Sequence, residues 1–419
     1  MRISVIGSGY VGTTVAACLA DAGHEVVNID IDEDIVASIN EGVAPIHEEG
    51  LDELVAEYGG NRLRATKEYD AVTDTEITFL CLPTPSREDG SVDLTAFEAG
   101  VSSLGDALAE KDEHIVVVKS TVPPGTAESV VAPAFGSHVH VVSNPEFLRE
   151  GTAVSDLRSP DKVVVGSESA EARAKVLKAY EGVHQNEPAV VEMTNSEAEL
   201  VKYANNAFLA AKVSLVNELG NISKELGVDA YEVLDAVGLD DRVSSRFLRS
   251  GLGWGGSCFP KDVDAIRAVA RDEGYDSPLL NAAIEVNDLQ PKRAVELLER
   301  HINPKGSRIA VLGLAFKPGT DDVRNSRAID LAELLVERGA EVVAYDPEAS
   351  ENARTVLPES VEIVSSAEDA LEGADAVVVA TAWEEFDGVS LDGMNEKVVI
   401  DGRRVDLQDE ADVYEGLCW

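Results

Sequence analysis

Arg2-Ile-Ser-Val-Ile-Gly7-Ser-Gly9-Tyr-Val-Gly12 is the stretch that decides the fold. Its apolar run reads as a buried strand, and Thr13 to Ala22 continue it as a helix. Glu25-Val-Val-Asn-Ile-Asp30 reads as a second strand, ending in an acid 23 residues after Gly7. Glycines in a G-x-G-x-x-G pattern say little alone. Strand, helix, strand and terminal acid in register make the dinucleotide-binding fingerprint. Gly7, Gly9 and Gly12, with Tyr10 and Val11 between them, bring backbone amides to a helix N-terminus, where a pyrophosphate binds. The Asp30 carboxylate suits a ribose 2′-hydroxyl and repels a 2′-phosphate, so the expected cofactor is NAD rather than NADP.

Further strands of a parallel sheet read at Glu76–Leu82, His114–Lys119 and Val139–Ser143. Each runs into a polar loop: Pro83-Thr84-Pro85, Ser120-Thr121-Val-Pro-Pro-Gly125, and Asn144-Pro-Glu146-Phe-Leu-Arg-Glu150-Gly151. Ligands of open α/β sheets bind at the carboxyl ends of strands, so these loops are expected to converge on one cleft. From Ser196 to about Leu226 apolar residues recur at helical spacing, and a second helical stretch, Pro278 to His301, carries Pro291, which is expected to interrupt it. A second α/β unit begins at Ser307-Arg-Ile-Ala-Val-Leu-Gly313 and continues through Glu341–Asp346, Ala374–Thr381 and Lys397–Gly402. Its first glycine loop lacks the full fingerprint, so it is expected to bind a different nucleotide or none. The expected fold is therefore α/β, with two Rossmann-like doubly wound parallel-sheet domains (1–195 and 303–419) joined by a central all-helical domain (196–302).

Gly251-Leu-Gly-Trp-Gly-Gly-Ser-Cys258-Phe-Pro-Lys-Asp262 carries the chemistry. It sets one cysteine between a glycine-rich approach and a helix start, with Pro260 suited to the first turn. A helix N-terminus and the Lys261 ammonium both favour a thiolate there. Lys202 and Asn206 lie four residues apart on a helix and so share a face, where a cation and an amide can stabilise an oxyanion. Cys258 and Asp262 repeat that spacing. A nucleophilic thiol beside an NAD site points to oxidation through a covalent thiohemiacetal and thioester. An alcohol-only dehydrogenase has no need of it.

Together these motifs resemble the UDP-glucose/GDP-mannose dehydrogenase family over essentially the whole chain. The resemblance rests on Gly7–Gly12, Pro83–Pro85, Ser120–Pro123, Asn144–Gly151, Lys202/Asn206, Gly251–Asp262, Phe316-Lys317 through Arg324, and Asp401-Gly-Arg403-Arg404. It implies two oxidations at C6 of a nucleotide-linked sugar with two NAD⁺ and one water. Cys258 matches the nucleophile, and Lys202 and Asn206 the groups that stabilise the oxyanion and hold the sugar. Asp262 and Thr121 match those that position a proton-accepting water, and Glu146 a carboxylate needed for thioester hydrolysis. Asp30, Thr84, Thr121, Glu150, Lys261 and Arg324 match cofactor contacts. Glu146, Phe147, Leu148, Arg149, Phe247, Leu248, Arg249, Ser250, Gly251, Gly255, Lys317 and Arg403 match the nucleotide-sugar site. Arg242 matches an arginine that reaches a neighbouring subunit's substrate, which implies a homodimer through the helical middle. Trp254 and the Phe316-Lys-Pro-Gly-Thr-Asp-Asp run look more like the UDP-glucose branch than the GDP-mannose branch. Ile35 departs from the pattern, since many relatives carry Lys or Arg there against the cofactor phosphates. A two-electron hydroxy-acid dehydrogenase and a non-catalytic nucleotide-sugar-binding protein are the alternatives; the first would not need the thiol, and the second would make it accidental.

Composition narrows the setting. Cys18, Cys81, Cys258 and Cys418 show no metal-ligand or disulfide spacing, and His138-x-His140 on one strand is commoner without a metal, so no metal is expected. Met1 leads straight into a strand and no apolar run reaches the roughly 18 residues of a membrane span, so a soluble, cytoplasmic protein is expected. The 78 acidic residues against 35 basic ones give a net charge of −43, spread along the chain, which argues against a nucleic-acid partner. Only 14 residues are lysines, and Lys119, Lys202, Lys261 and Lys317 sit beside the motifs above. Such a surface repels itself in dilute buffer and is screened at about 1 M salt, where the Debye length is about 3 Å. The expected environment is a high-salt cytoplasm. Thermal melts followed by circular dichroism should show the midpoint rising steeply from 0.1 to ~2 M KCl, whereas a salt-independent midpoint contradicts the reading.

Overall fold

The computed structural model describes all 419 residues except the side chain of residue 409. It forms two compact units, Met1–Asn205 and Asn206–Trp419, with the division falling inside one long helix, Asn195–Glu225.

In the first unit eight strands form one sheet: β1 (Arg2–Ile6), β2 (Glu25–Ile29), β3 (Leu63–Thr66), β4 (Ile77–Leu80), β5 (His114–Val118), β6 (Val139–Ser143), β7 (Lys162–Gly166) and β8 (Ala189–Met193). Their order is β3-β2-β1-β4-β5-β6-β7-β8. Side chains alternate across the sheet. Ile3, Val5, Ile115 and Val117 enter the core on one face, and Ile6, Val116 and Val118 the core on the other. Both faces are covered, so β4 and β5 are buried at every position, as parallel strands require. One join departs from the expected parallel sheet: β6 and β7 pair antiparallel through Ser143 and Gly166. The strands β3, β7 and β8 were not expected. β7 is a single Val-Val-Val run, and β8 lies exposed at the sheet edge with no buried face to impose a pattern.

The second unit repeats the plan with β9 (Arg308–Leu312), β10 (Glu341–Tyr345), β11 (Glu362–Ile363), β12 (Ala376–Val379), β13 (Val398–Asp401) and β14 (Val413–Gly416). The order is β11-β10-β9-β12-β13-β14, parallel throughout. In both units the chain reverses direction across the sheet between the first strand and the fourth, which is where such sheets open a crevice. Ile309 and Val311 face one core, and Ala310 and Leu312 the other.

The helices Ala230–Gly238, Phe259–Asp272 and Pro278–Glu299 precede β9. The expected break at Pro291 is absent, since one helix runs through it. An interior proline costs about 3 kcal/mol. Here that cost is offset by burial of Pro291 next to Ala294, Val295, Leu297 and Leu298, all in the core.

Two glycines of the opening loop are fixed by sterics. Gly7 has φ +97°, and a Cβ on Gly12 would stand 1.9 Å from the Gly7 carbonyl oxygen. A Cβ on Gly9 would meet nothing within 4 Å. Gly12→Ala is therefore expected to cost about 1–3 kcal/mol of stability, and Gly9→Ala to stay within about 0.5 kcal/mol, as measured by denaturant unfolding in molar salt. Equal losses would contradict this packing.

Candidate active site

β1 ends at Ile6, and the Gly7 amide donates to the Ile29 carbonyl at 2.8 Å, closing the turn between β1 and β2. The helix Tyr10–Asp21 starts at once, with Gly9 as its N-cap. Asp30 Oδ2 accepts from the Ser8 amide at 2.6 Å and Oδ1 from the Asp32 amide at 3.1 Å. Open space over Gly9, helix-start amides at Tyr10 and Val11, and a carboxylate at the end of β2 fit NAD. Ile35 packs against the apolar core and offers no cation. Thr84 and Thr121 follow the adjacent strands β4 and β5, whose loops are tied by Ser120 Oγ donating to the Leu82 carbonyl at 2.7 Å.

The loop after β6 carries the first catalytic candidates. Glu146 is buried; Oε1 accepts from Lys202 Nζ at 2.7 Å and Oε2 from the Leu148 amide at 2.6 Å. Burial pushes the Glu146 carboxyl up, but Lys202 and the Leu148 amide outweigh it and hold it below the usual carboxylate range. The Phe147 ring receives Lys162 at 4.3 Å and Lys202 at 5.8 Å. Arg149 turns outward to Asp156 in a forked pair, and Glu150 stays half-buried.

Two buried carboxylates that the motifs did not reveal hold these loops. Glu48 accepts from the Gly151 and Ala153 amides at 2.9 and 2.7 Å. Glu199 accepts from the Gly125 and Ala127 amides at 2.6 and 2.9 Å and from Ser143 Oγ at 3.2 Å, and burial pushes its carboxyl up to about 7. Glu199 lies one helical turn before Lys202, which was the signal available.

In the second unit Cys258 is exposed and outside any disulfide, at the N-cap of the helix Phe259–Asp272 with Pro260 in its first turn. Ser257 Oγ lies 3.6 Å from its sulfur. Asp262, four residues on, is buried and accepts from Asn206 Nδ2 and from Lys261 Nζ, each at 2.6 Å. Three expected residues are thus brought to one point beneath the thiol's helix turn. Lys261 directs its ammonium to Asp262.

The glycine loop ahead of Cys258 is pinned by amide side chains that sequence reasoning missed. Asn217 Oδ1 accepts from the Gly251 amide at 2.9 Å, and Gln290 Nε2 donates to the Gly251 carbonyl at 2.6 Å. Asn287 makes two hydrogen bonds with Trp254, accepting from its amide at 2.8 Å and donating to its carbonyl at 2.9 Å. All three amides are buried on otherwise apolar helix faces, which marks them as partnered groups.

A Cβ on Gly255 would stand 2.1 Å from the Asn325 carbonyl oxygen, and one on Gly256 would strike the Phe316 ring. The segment 316–325 is thereby laced to the cysteine loop, with the Gly256 amide donating to the Arg324 carbonyl at 2.9 Å. Lys317 lies over Phe316 at 5.6 Å, and Arg324 forks onto Asp322 at 2.9 and 2.7 Å. Gly251 backs onto Gly402 and Arg403, and Arg403 Nε donates to the Ala380 carbonyl at 2.7 Å. Phe247 holds φ +61°, a costly conformation for a bulky residue, while Leu248 and Ser250 are buried. Tyr231 Oη donates to the Ser250 carbonyl at 3.0 Å, and Arg249 lies over the Tyr231 ring and pairs with Asp235. Arg242 projects into solvent and, among the described residues, pairs with Asp240.

The second glycine turn copies the first in backbone alone. Gly313 has φ +91°, and its amide donates to the Tyr345 carbonyl at 2.8 Å. The acid that follows, Asp346, is 1% exposed and spends one oxygen on the Leu314 and Ala315 amides and Trp383 Nε1, the other on the Glu348 and Ala349 amides. No acceptor capacity remains for a ribose hydroxyl. Among the described residues no group of three or more His, Cys, Asp or Glu could hold a metal ion, and no helix is long and apolar enough to cross a membrane.

Comparison with known proteins identifies the family. Three family descriptions match in chain order: the NAD binding domain of the UDP-glucose/GDP-mannose dehydrogenase family at residues 1–184, its central domain at 196–289 and its UDP binding domain at 310–406. The UDP-glucose 6-dehydrogenase AglM of Haloferax volcanii is 54% identical, with all of both chains covered. The GDP-mannose 6-dehydrogenase of Azotobacter vinelandii is 37% identical, again over all of both chains. A solved UDP-glucose dehydrogenase from the hyperthermophilic archaeon Pyrobaculum islandicum is 44% identical with a TM-score of 0.93, covering 100% of this chain and 98% of its own. This chain belongs to the UDP-glucose/GDP-mannose dehydrogenase family.

Proposed function

We propose that the chain oxidises C6 of UDP-glucose twice, giving UDP-glucuronate, with Cys258 as the covalent nucleophile. The observation that carries this is an exposed thiol at a helix N-cap, one turn ahead of a buried Asp262 held by Asn206 and Lys261. The names of the full-length relatives support UDP-glucose as the substrate.

The cofactor is held by Gly7 through Gly12 and Asp30, with Thr84, Thr121, Glu150, Lys261 and Arg324 as further contacts. When bound there, NAD takes up the electron pair of each oxidation as a hydride. Asp262 and Thr121 position the water that receives the C6 hydroxyl proton in the first oxidation. The Cys258 sulfur then bonds to the aldehyde carbon, and Lys202 and Asn206 stabilise the oxyanion. The second oxidation leaves a thioester. Water attacks it, Glu146 takes the water's proton, the C6–S bond breaks and the sulfur departs as thiolate. The nucleotide sugar is held by Phe147 through Arg149, Phe247 through Gly251, Gly255, Lys317 and Arg403.

A homodimer through the helical middle completes the reading. Phe208, Leu215, Leu219 and Ile222 are exposed along one helix at spacings of seven, four and three, the pattern of a helix-packing seam. A second copy would cover that stripe and bring Arg242 to its neighbour's substrate. A cytoplasm rich in salt suits the charge of −43.

In molar salt the enzyme should form two NADH per UDP-glucose consumed and none with GDP-mannose, as followed at 340 nm. One NADH per sugar, or equal turnover of GDP-mannose, contradicts the assignment. Cys258→Ser should release uronate several orders of magnitude more slowly while still binding UDP-glucose by calorimetry. Uronate release at the parental rate removes the covalent step.

A further inference from the structure

Lys119 belongs to no role described so far. It follows β5 directly, is 4% exposed, and donates from Nζ to Asn144 Oδ1 at 3.0 Å. That oxygen also accepts from Tyr180 Oη at 2.6 Å, while Asn144 Nδ2 donates to the Val164 carbonyl at 2.8 Å, so the amide is fixed. The Tyr180 ring lies 5.5 Å from the ammonium. Among the described residues Lys119 makes no ion pair. Burial pulls its pKa down to about 8, and the first charge acting against that is Glu146. Asn144, which Lys119 grips, stands two residues before Glu146 in the same loop.

Glu146 is faced by Lys202 from the long helix, Lys119 from β5, the Tyr10 phenol from the first helix and the Cys81 thiol after β4. Of these four groups only the two lysines favour its charge, and the Leu148 amide adds to them. The proposed reaction sets Lys202 a second task, since its ammonium must serve the oxyanion at C6. When it does, Glu146 loses its 2.7 Å partner inside the protein. A buried carboxylate without a cation takes up a proton and can no longer accept one.

We propose that Lys119 is a positioning residue for thioester hydrolysis, a second and fixed cation that keeps Glu146 ionised while Lys202 is engaged with the sugar. The inference rests on the role given to Glu146 above. In that step water bonds to C6, the C6–S bond breaks with its electron pair going to sulfur, and the water proton passes to Glu146. Nothing is oxidised or reduced.

The test uses the full-length chain in molar salt with UDP-glucose and NAD⁺. Steady-state turnover is measured against pH, and intact-mass spectrometry reads the fraction of chain carrying the acyl adduct. Lys119→Met should move the acid limb of kcat up by about one pH unit or more, with the adduct accumulating below it and KM for UDP-glucose unchanged. Lys119→Arg should restore the parental limb. An effect on folding alone would lower kcat equally at all pH and leave no adduct, and that result overturns the proposal. If Lys119→Met does not fold, Asn144→Asp neutralises the same ammonium in place and should move the limb the same way; an unmoved limb again overturns it. Glu146→Gln separates the two ideas. Parental turnover in that variant removes Glu146 from hydrolysis, whereas adduct accumulation in Glu146→Gln but not in Lys119→Met rejects the role of Lys119 alone.

Discussion

A carboxylate taken out of water keeps its charge only beside a cation or several donors, and two of the residues proposed for the reaction, Glu146 and Asp262, are buried in this way. Glu146 has Lys202 at 2.7 Å, and Asp262 has Lys261 at 2.6 Å with Asn206 sharing the load. Removing one partner from a buried pair costs about 3–5 kcal/mol, because the remaining charge is stranded. The surrounding loops are arranged to keep each pair together. Glu48 and Glu199 bind the amides of the 120s and 150s loops, and the buried amides of Asn217, Asn287 and Gln290 hold the approach to Cys258. In a protein with 78 acids and 35 basic residues, Glu146 and Asp262 each still have a lysine of their own.

What was legible in the chain follows from how local each signal is. The turn at Gly7–Gly12 and the acid at Asp30 are dictated by backbone sterics within thirty residues, so the first strand pair and its helix read directly. The four-residue spacings of Lys202 with Asn206 and of Cys258 with Asp262 are equally local, one within a helix and the other across a helix start. Asn206 with Asp262 is a contact between residues 56 apart, and no local rule links them. The same holds for Asn287 with Trp254 and Gln290 with Gly251. Their signal was an amide set into an apolar stripe, which identifies a partnered group but not its partner. β8 has no buried face, and Pro291 follows a rule that packing overrode.

The two α/β units share strand order and the strand–glycine–strand–acid turn, yet they have separated in use. In the first, Asp30 is half-buried and bonded to two amides, with open space above Gly9. In the second, five donors close around Asp346, and the helix that follows the Gly313 turn begins only at Arg327. The intervening chain instead laces Phe316 through Asn325 to the cysteine loop.

Saturation of Asp346 has a further consequence for the proposed reaction. With one ribose-accepting turn per chain, both oxidations of a sugar draw on the same cradle, and spent cofactor must leave before fresh cofactor arrives. A half-oxidised sugar bound only by hydrogen bonds would be free to depart in that interval. A bond to Cys258 removes that exit, so the closed shell of one carboxylate in the second unit gives a physical reason for a nucleophile in the first place.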